Sequence, residues 1–329
     1  MSATYLVTGC AGFLGSNLVE RLLWAGHSVI GIDNLSMGRA ENIEAFRNDG
    51  RFRFIQEDVT VPETLAAIDG SVDAIVHLAA FKIPRYGKAI DTLKINYAGT
   101  ENALEYARRS SCKVVLASTS DVYGRNPKLP FSEKDSDSVI GSSTVPRWAY
   151  AVSKLFDEHL ALAYQDAYNF PVTILRFFGS YGPNQHLSWW GGPQSVFIDR
   201  VLERKPIPIH GDGSQTRSFT YVSDTVEGIY QAVRRDAANG EIINIGSTEE
   251  ITILELARRI QSLFGPEGDT GIEFVPYESF TSKGYQDVMR RVPDVTRCKA
   301  LLGVEARVPL DEGLARTIAW QRALPRARA

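Results

Sequence analysis

The stretch Tyr5-Leu6-Val7-Thr8-Gly9-Cys10-Ala11-Gly12-Phe13-Leu14-Gly15 decides the fold of this chain. Tyr5, Leu6 and Val7 form a short apolar run that reads as a buried strand. Gly9, Gly12 and Gly15 follow at intervals of three, and Leu14, Leu18, Val19 and Leu22 then repeat with helical spacing. A glycine turn between strand and helix lets the backbone approach a pyrophosphate and aims unpaired N–H groups at it. The three-by-three spacing departs from the usual G-x-G-x-x-G, so taken alone it fits a tight strand-to-helix turn equally well. The next apolar run, Ser28 to Ile32, ends in Asp33. A carboxylate about 20 residues past such glycines accepts hydrogen bonds from a ribose 2′-hydroxyl and repels a 2′-phosphate, which favours NAD over NADP.

Outward from that stretch, strand and helix signals alternate through the first half. The expected class is α/β, a Rossmann-type doubly wound parallel sheet followed by a smaller mixed α/β lobe. Further strands are read at 52–56, 73–77 and 114–117, and a long helix runs to about Arg109. Asn34 follows Asp33 in a polar loop suited to a ribose. Asp58, just past the third strand, lies where ligands of open sheets bind, or else caps a helix. Leu78, Ala79 and Ala80 are small enough for a ribose or phosphate to lie against backbone. His77, closing a buried strand, reads as structural. Lys82 either reaches a phosphate or is solvated, and Asn96 sits in the long helix. Ser118, Thr119 and Ser120 precede Asp121. They either cap a turn or hold a reacting hydroxyl. Residues 127–146 read as a long surface loop.

The chemistry centres on Trp148-Ala149-Tyr150-Ala151-Val152-Ser153-Lys154, which opens a helix pattern. Tyr150 and Lys154 are four apart and share a helix face. A phenol titrating near pH ~10 is a poor base at neutrality. A lysine cation one turn away, helped by a positive nicotinamide ring, is expected to lower that value toward the working pH.

At 329 residues the chain suits one large domain plus a lobe, here divided as 1–178 and 179–329 with some later chain returning to the first unit. The net charge of −3 leaves no basic footprint for nucleic acid or an anionic membrane. No apolar run approaches the ~20 residues that span a bilayer, and the N-terminus shows no secretion signal. Cys10, Cys112 and Cys298 are too scattered for a disulfide framework or a zinc site, so no metal is expected and a reducing cytoplasm is. In the second part, helices are read at 195–204, 223–234, 253–264 and 311–323, with strands at 207–210 and 242–245 and a basic tail. Trp189-Trp190 either lines a sugar pocket or packs on the sheet.

These motifs together resemble the extended short-chain dehydrogenase/reductases, and within them the nucleotide-sugar epimerase/dehydratase group. The likeness runs from the glycine turn through Ser118-Thr119-Ser120-Asp121-Val122-Tyr123-Gly124 and Tyr150-x-x-x-Lys154 to Arg176-Phe177-Phe178, Gly211 to Arg217 and Arg291-Val292-Pro293-Asp294. It implies that Thr119, Tyr150 and Lys154 are catalytic. It implies NAD contacts at Gly9, Gly12, Phe13, Leu14, Gly15, Asp33, Asn34, Asp58, Val59, Leu78, Ala79, Ala80, Lys82, Asn96, Ser118, Tyr150, Lys154 and Phe178. Substrate contacts fall at Lys82, Thr119, Ser120, Asp121, Tyr150, Gly179, Arg217 and Arg291, the two arginines clasping a diphosphate.

Departures from the pattern narrow the expected reaction. Ser120-Asp121 replaces the Asp-Glu of the dehydratases. Pro146-Arg147-Trp148-Ala149-Tyr150 resembles the glucuronate decarboxylases, which usually carry Ser-Glu where this chain has Ser-Asp. Gly179 stands where an asparagine often contacts substrate. The expectation is therefore net 4-epimerisation of a UDP-hexose or UDP-hexuronic acid through a 4-keto sugar. Decarboxylation or dehydration is the alternative, and a non-catalytic NAD-binding regulator the remote one. The resemblance also implies a homodimer.

Overall fold

The computed structural model describes residues 2–82, 88–279 and 286–325. The opening stretch folds as read: β1 (Thr4–Thr8) leads through the glycine turn into α1 (Phe13–Trp24) and β2 (Ser28–Ile32). There follow β3 (Phe52–Ile55), α2 (Pro62–Ala66), β4 (Ala74–His77), α3 (Ala89–Ser110), β5 (Lys113–Thr119), α4 (Trp148–Tyr168) and β6 (Val172–Phe177). β6 is a strand that the sequence reading leaves out, although its Val172-Thr173-Ile174-Leu175 run has strand character and Asn169 and Pro171 part it from the preceding helix.

Beyond β6 come β7 (Ser180–Tyr181), α5 (Pro193–Leu202), β8 (Ile207–His210), β9 (Thr216–Ser218), β10 (Thr220–Tyr221) and α6 (Val222–Arg234). The chain ends through β11 (Glu241–Ile245), β12 (Glu250–Thr252), α7 (Ile253–Leu263), β13 (Ile272–Val275) and α8 (Leu310–Ala323). The last residues of the basic tail, 326–329, lie outside the described residues.

The main sheet is parallel throughout, in the order β11-β6-β5-β4-β1-β2-β3. Its central strands β1, β4, β5 and β6 are buried on both faces, which is why they read as near-continuous apolar runs. Leu6, Ile75, Val114 and Ile174 pack toward α3 and α4, while Val7, Val76, Val115 and Leu175 join the core that holds α1 and α6. The late strand β11 belongs to this sheet, paired with β6 from Glu241↔Thr173 to Ile245↔Phe177. The smaller lobe is mixed: β8 pairs in parallel with β13, β9 runs antiparallel to β12, and α5, α7 and α8 pack together. Among the described residues no helix is long and apolar enough to cross a membrane.

Strand order reverses between β1 and β4, and ligands of such sheets bind at that point. Thr8 stitches it together. Its Oγ1 accepts from Leu78 N (3.2 Å) and Ala79 N (3.3 Å) and pairs with His77 Nδ1 at 2.8 Å. Gly9 turns the chain with φ +70°, and a Cβ there would lie 2.9 Å from Ala79 N.

The 127–146 segment is irregular but fastened. Phe131 N donates to Val292 O and Asp294 N to Phe131 O, each at 2.8 Å, while Asn244 Nδ2 bonds the carbonyls of Phe131 and Asp294. These contacts carry Arg291 to the edge of the main sheet.

Candidate active site

Two cavities meet at Tyr150. The first, about 280 Å³, follows the sheet's carboxyl edge at the β1–β4 switch point. Gly9, Gly12, Phe13, Leu14, Gly15, Asp33, Asn34, Asp58, Val59, Leu78, Ala79, Ala80, Lys82, Ser118, Tyr150 and Lys154 all border it. Two residues expected there do not. The Asn96 amide is buried as a brace, bonding Phe81 N at 2.7 Å, Phe81 O at 3.3 Å and Ser153 Oγ at 2.9 Å. Phe178 lines the second cavity instead and packs beside Tyr123.

The walls of the first cavity suit a dinucleotide. Asp33 accepts from Ala11 N (3.0 Å) and Leu35 N (2.8 Å), which fixes a carboxylate with lone pairs to spare on the cavity wall. Burial lifts its carboxyl above the ordinary range, against the pull of those amides. Asp58 lines the cavity and accepts from Thr60 N at 2.8 Å and Asn34 Nδ2 at 2.9 Å; it does not cap α2, which starts at Pro62 behind Val61 with no side-chain cap. Lys82 borders both cavities, and burial pushes its ammonium down to about 8, with Asp121 opposing. His77 lines neither cavity, and burial followed by the Lys154 charge depresses it to about 3.

The second cavity, about 440 Å³, lies between the main sheet and the lobe. Lys82, Thr119, Ser120, Asp121, Tyr150, Gly179, Arg217 and Arg291 all border it. Gly179 has φ +51°, and a Cβ there would strike Ser218 O at 2.1 Å, so no side chain replaces the asparagine common in similar sequences. Trp189 and Trp190 line the cavity. Trp189 stacks on His210 with centroids 4.4 Å apart, and Trp190 meets the Phe81 ring edge-on at 4.8 Å.

The electrostatics correct one expectation. Lys154 is buried one turn from Tyr150, but its Nζ is paired at 3.0 Å with Asp157, which is fully buried. The chain's own groups therefore raise the Tyr150 phenol instead of lowering it. Burial dominates, Asp121 and Asp157 add to it, and a hydrogen bond from Thr119 opposes. Asp157 lies at i+3 from Lys154, a spacing from which the pair could have been read.

Three arginines and two acids make up the charged wall. Asp121 Oδ1 lies 2.7 Å from Arg291 and 3.3 Å from Arg147. Burial opposes its ionisation, but Arg291, Arg147 and Arg217 together hold its carboxyl below the ordinary range. Arg217 is fastened to Asp287 (2.8 Å) and to the carbonyls of Thr216 (2.7 Å) and Val288 (2.6 Å), and Tyr277 Oη donates to Asp287 at 3.0 Å. Arg147 stood inside a quoted motif without a role. Asp287 gave no local signal, because its partner Arg217 is distant in sequence.

A sequence model described as the NAD dependent epimerase/dehydratase family matches residues 5–246. The chain is 37% identical over 324 residues to a UDP-N-acetyl-alpha-D-glucosaminuronate decarboxylase of Bacillus cytotoxicus, covering 98% of each. It is 37% identical over 319 residues to UDP-glucuronic acid decarboxylase 1 of Xenopus tropicalis, covering 96% of this chain and 72% of that one. Among solved structures, the UDP-glucuronic acid 4-epimerase from Bacillus cereus in complex with UDP-glucuronic acid and NAD superposes with a TM-score of 0.84. That match has 30% identity and covers 97% of this chain and 99% of that one.

Proposed function

This chain belongs to the NAD dependent epimerase/dehydratase family, and we propose that it oxidises carbon 4 of a UDP-linked hexuronic acid and releases the acid's carboxylate as carbon dioxide. The observation that carries this reading is the charged wall beside Tyr150. Three guanidiniums face two carboxylates, leaving surplus positive charge next to the group that works on carbon 4. Both decarboxylases named above act, by their names, on UDP-linked uronic acids.

NAD, when bound, would supply the hydride acceptor for carbon 4 and a positive charge that favours the phenolate. Gly9, Gly12, Asp33 and Lys154, which line the first cavity, would hold it. Tyr150, as phenolate, takes the proton of the 4-hydroxyl while Thr119 keeps the phenol oxygen oriented. Lys154 supports the phenolate, and Asp157 fixes the ammonium in place. The resulting 4-keto acid is a β-keto acid, so its C5–C6 bond can break with the electron pair drawn toward the new carbonyl. Asp121, held ionised by its arginines, is no proton donor. The proton on Tyr150 is then the nearest one for carbon 5. Arg217 and Arg291 take the diphosphate, whose binding energy orients a sugar that the site otherwise grips loosely.

Net 4-epimerisation, the first expectation from the sequence, becomes the second reading. What favours it is Asp121, one methylene shorter than the glutamate usual in decarboxylases that this chain resembles. Incubating the protein with NAD, UDP-glucuronic acid and UDP-N-acetylglucosaminuronic acid, then weighing the products, separates the two. Loss of carbon dioxide supports decarboxylation, an unchanged mass with altered retention supports epimerisation, and no turnover of either refutes both.

Two copies are proposed to pair through α3 and α4. Ile90 is 52% exposed and Phe156 50%, with Leu93, Tyr97 and Val152 also open to solvent. Such a face is long and apolar for a monomer. A reducing cytoplasm is proposed from the three buried, unpaired cysteines.

A further inference from the structure

We propose that Arg147 is the residue that reads the sugar's carboxylate and so sets the preference for a uronic acid; the inference rests on the UDP-sugar reading above. Carbon 6 hangs from carbon 5, the immediate neighbour of the reacting carbon 4. Whatever holds the carboxylate must therefore stand beside Tyr150 and Thr119. Arg147 meets that condition through the backbone. It precedes α4 directly, three residues before Tyr150, so one helix start aims both guanidinium and phenol into the same cavity.

The other cations of the cavity are placed for different work. Arg217 is tied to Asp287 and two carbonyls on the lobe side. Arg291 holds Asp121 by the shorter contact, 2.7 Å, and its Nε is buried with no partner among the described residues, a donor left for phosphate. Burial brings Lys82 down to about 8, so it carries a weaker hold on an anion than a guanidinium that stays charged at every working pH.

Arg147 is also anchored where an exchange of partners costs little. Its NH1 donates to Gln286 O at 2.7 Å and its guanidinium carbon lies over the Trp148 ring, 4.6 Å from the centroid, which fix the side chain. Its contact with Asp121 is the longer of that acid's two, at 3.3 Å. Asp121 thus stands where a substrate carboxylate would sit. It keeps Arg291 as a partner when Arg147 turns to the sugar.

The test is equilibrium binding of UDP, UDP-glucose and UDP-glucuronic acid to the NAD-loaded protein, wild type against Arg147→Gln and Arg147→Lys. Wild type is expected to prefer the uronate over the neutral sugar. Arg147→Gln should lower that preference by about tenfold or more, the worth of a charge-assisted hydrogen bond, with NAD and UDP affinities unchanged. Arg147→Lys, which keeps the charge but loses the fork, should fall between them. A preference that survives in Arg147→Gln overturns the assignment of Arg147 alone. An equal loss for UDP, UDP-glucose and the uronate also overturns it, since the side chain would then only shape the pocket. Wild-type protein that binds no UDP compound overturns the underlying reading, and this inference with it.

Discussion

Removing Asp157 should destabilise the protein more than most single substitutions, because it strands the Lys154 ammonium. The lysine side chain is 2% exposed and the aspartate 0%, and their charged atoms are 3.0 Å apart. Breaking a buried pair from one side costs about 3–5 kcal/mol, most of it for the uncompensated charge left behind. Taking ~2 °C per kcal/mol for a chain of this size, Asp157→Ala should melt roughly 6–10 °C below wild type. Burial lifts the Asp157 carboxyl above its usual range in spite of Lys154, so the pair itself gains little over two solvated ions. The double variant Lys154→Met, Asp157→Leu should therefore recover to within ~1 kcal/mol of wild type. Thermal melting and urea unfolding of the NAD-free proteins, which keep cofactor affinity out of the comparison, measure the shift and the free-energy differences. A single-variant loss below ~1 kcal/mol, or a double variant as unstable as the summed singles, would refute the reasoning.

Asp33→Ala removes the carboxylate at the end of β2. NAD affinity should drop about tenfold or more by fluorescence titration while NADP affinity rises, and unchanged affinities for both would contradict the assignment. Asp121 raises the Tyr150 phenol and occupies two arginines. In Asp121→Asn that negative charge is gone and the guanidinium charges act unopposed, so the phenol titrates lower. The acidic limb of kcat/KM should move to lower pH; a limb that stays or moves up rules this out. Phe156→Glu puts a charge into the exposed apolar face of α3 and α4, and light scattering should report a shift from dimer to monomer. A wild type already monomeric removes the proposed pairing.

Much of this was legible in the sequence because the decisive signals are local. The glycine turn and the Tyr150/Lys154 pair are read from residues close together in sequence, and the acid closing β2 follows that turn by about 20 residues; the structure puts all three around connected cavities. Contacts between distant segments were not legible. Asn96 looked like a wall residue in its motif, yet its amide ended as a brace once Phe81 and Ser153 were folded against it. Arg217 and Asp287 meet only because β9 and the segment before Arg291 fold together. The direction in which the chain's own groups move the Tyr150 phenol was not legible for a different reason. Lysine charge and helix spacing can be read from residue order, but desolvation cannot, and burial is the largest influence on that phenol.

The most direct measurement is the turnover of Tyr150→Phe on UDP-glucuronic acid, alongside its affinity for NAD and UDP. Loss of the proton-accepting phenol should cut kcat by about 10²–10⁴ while both ligands bind as in wild type. Near-normal turnover in that variant would contradict the claim that Tyr150 takes the proton from the 4-hydroxyl.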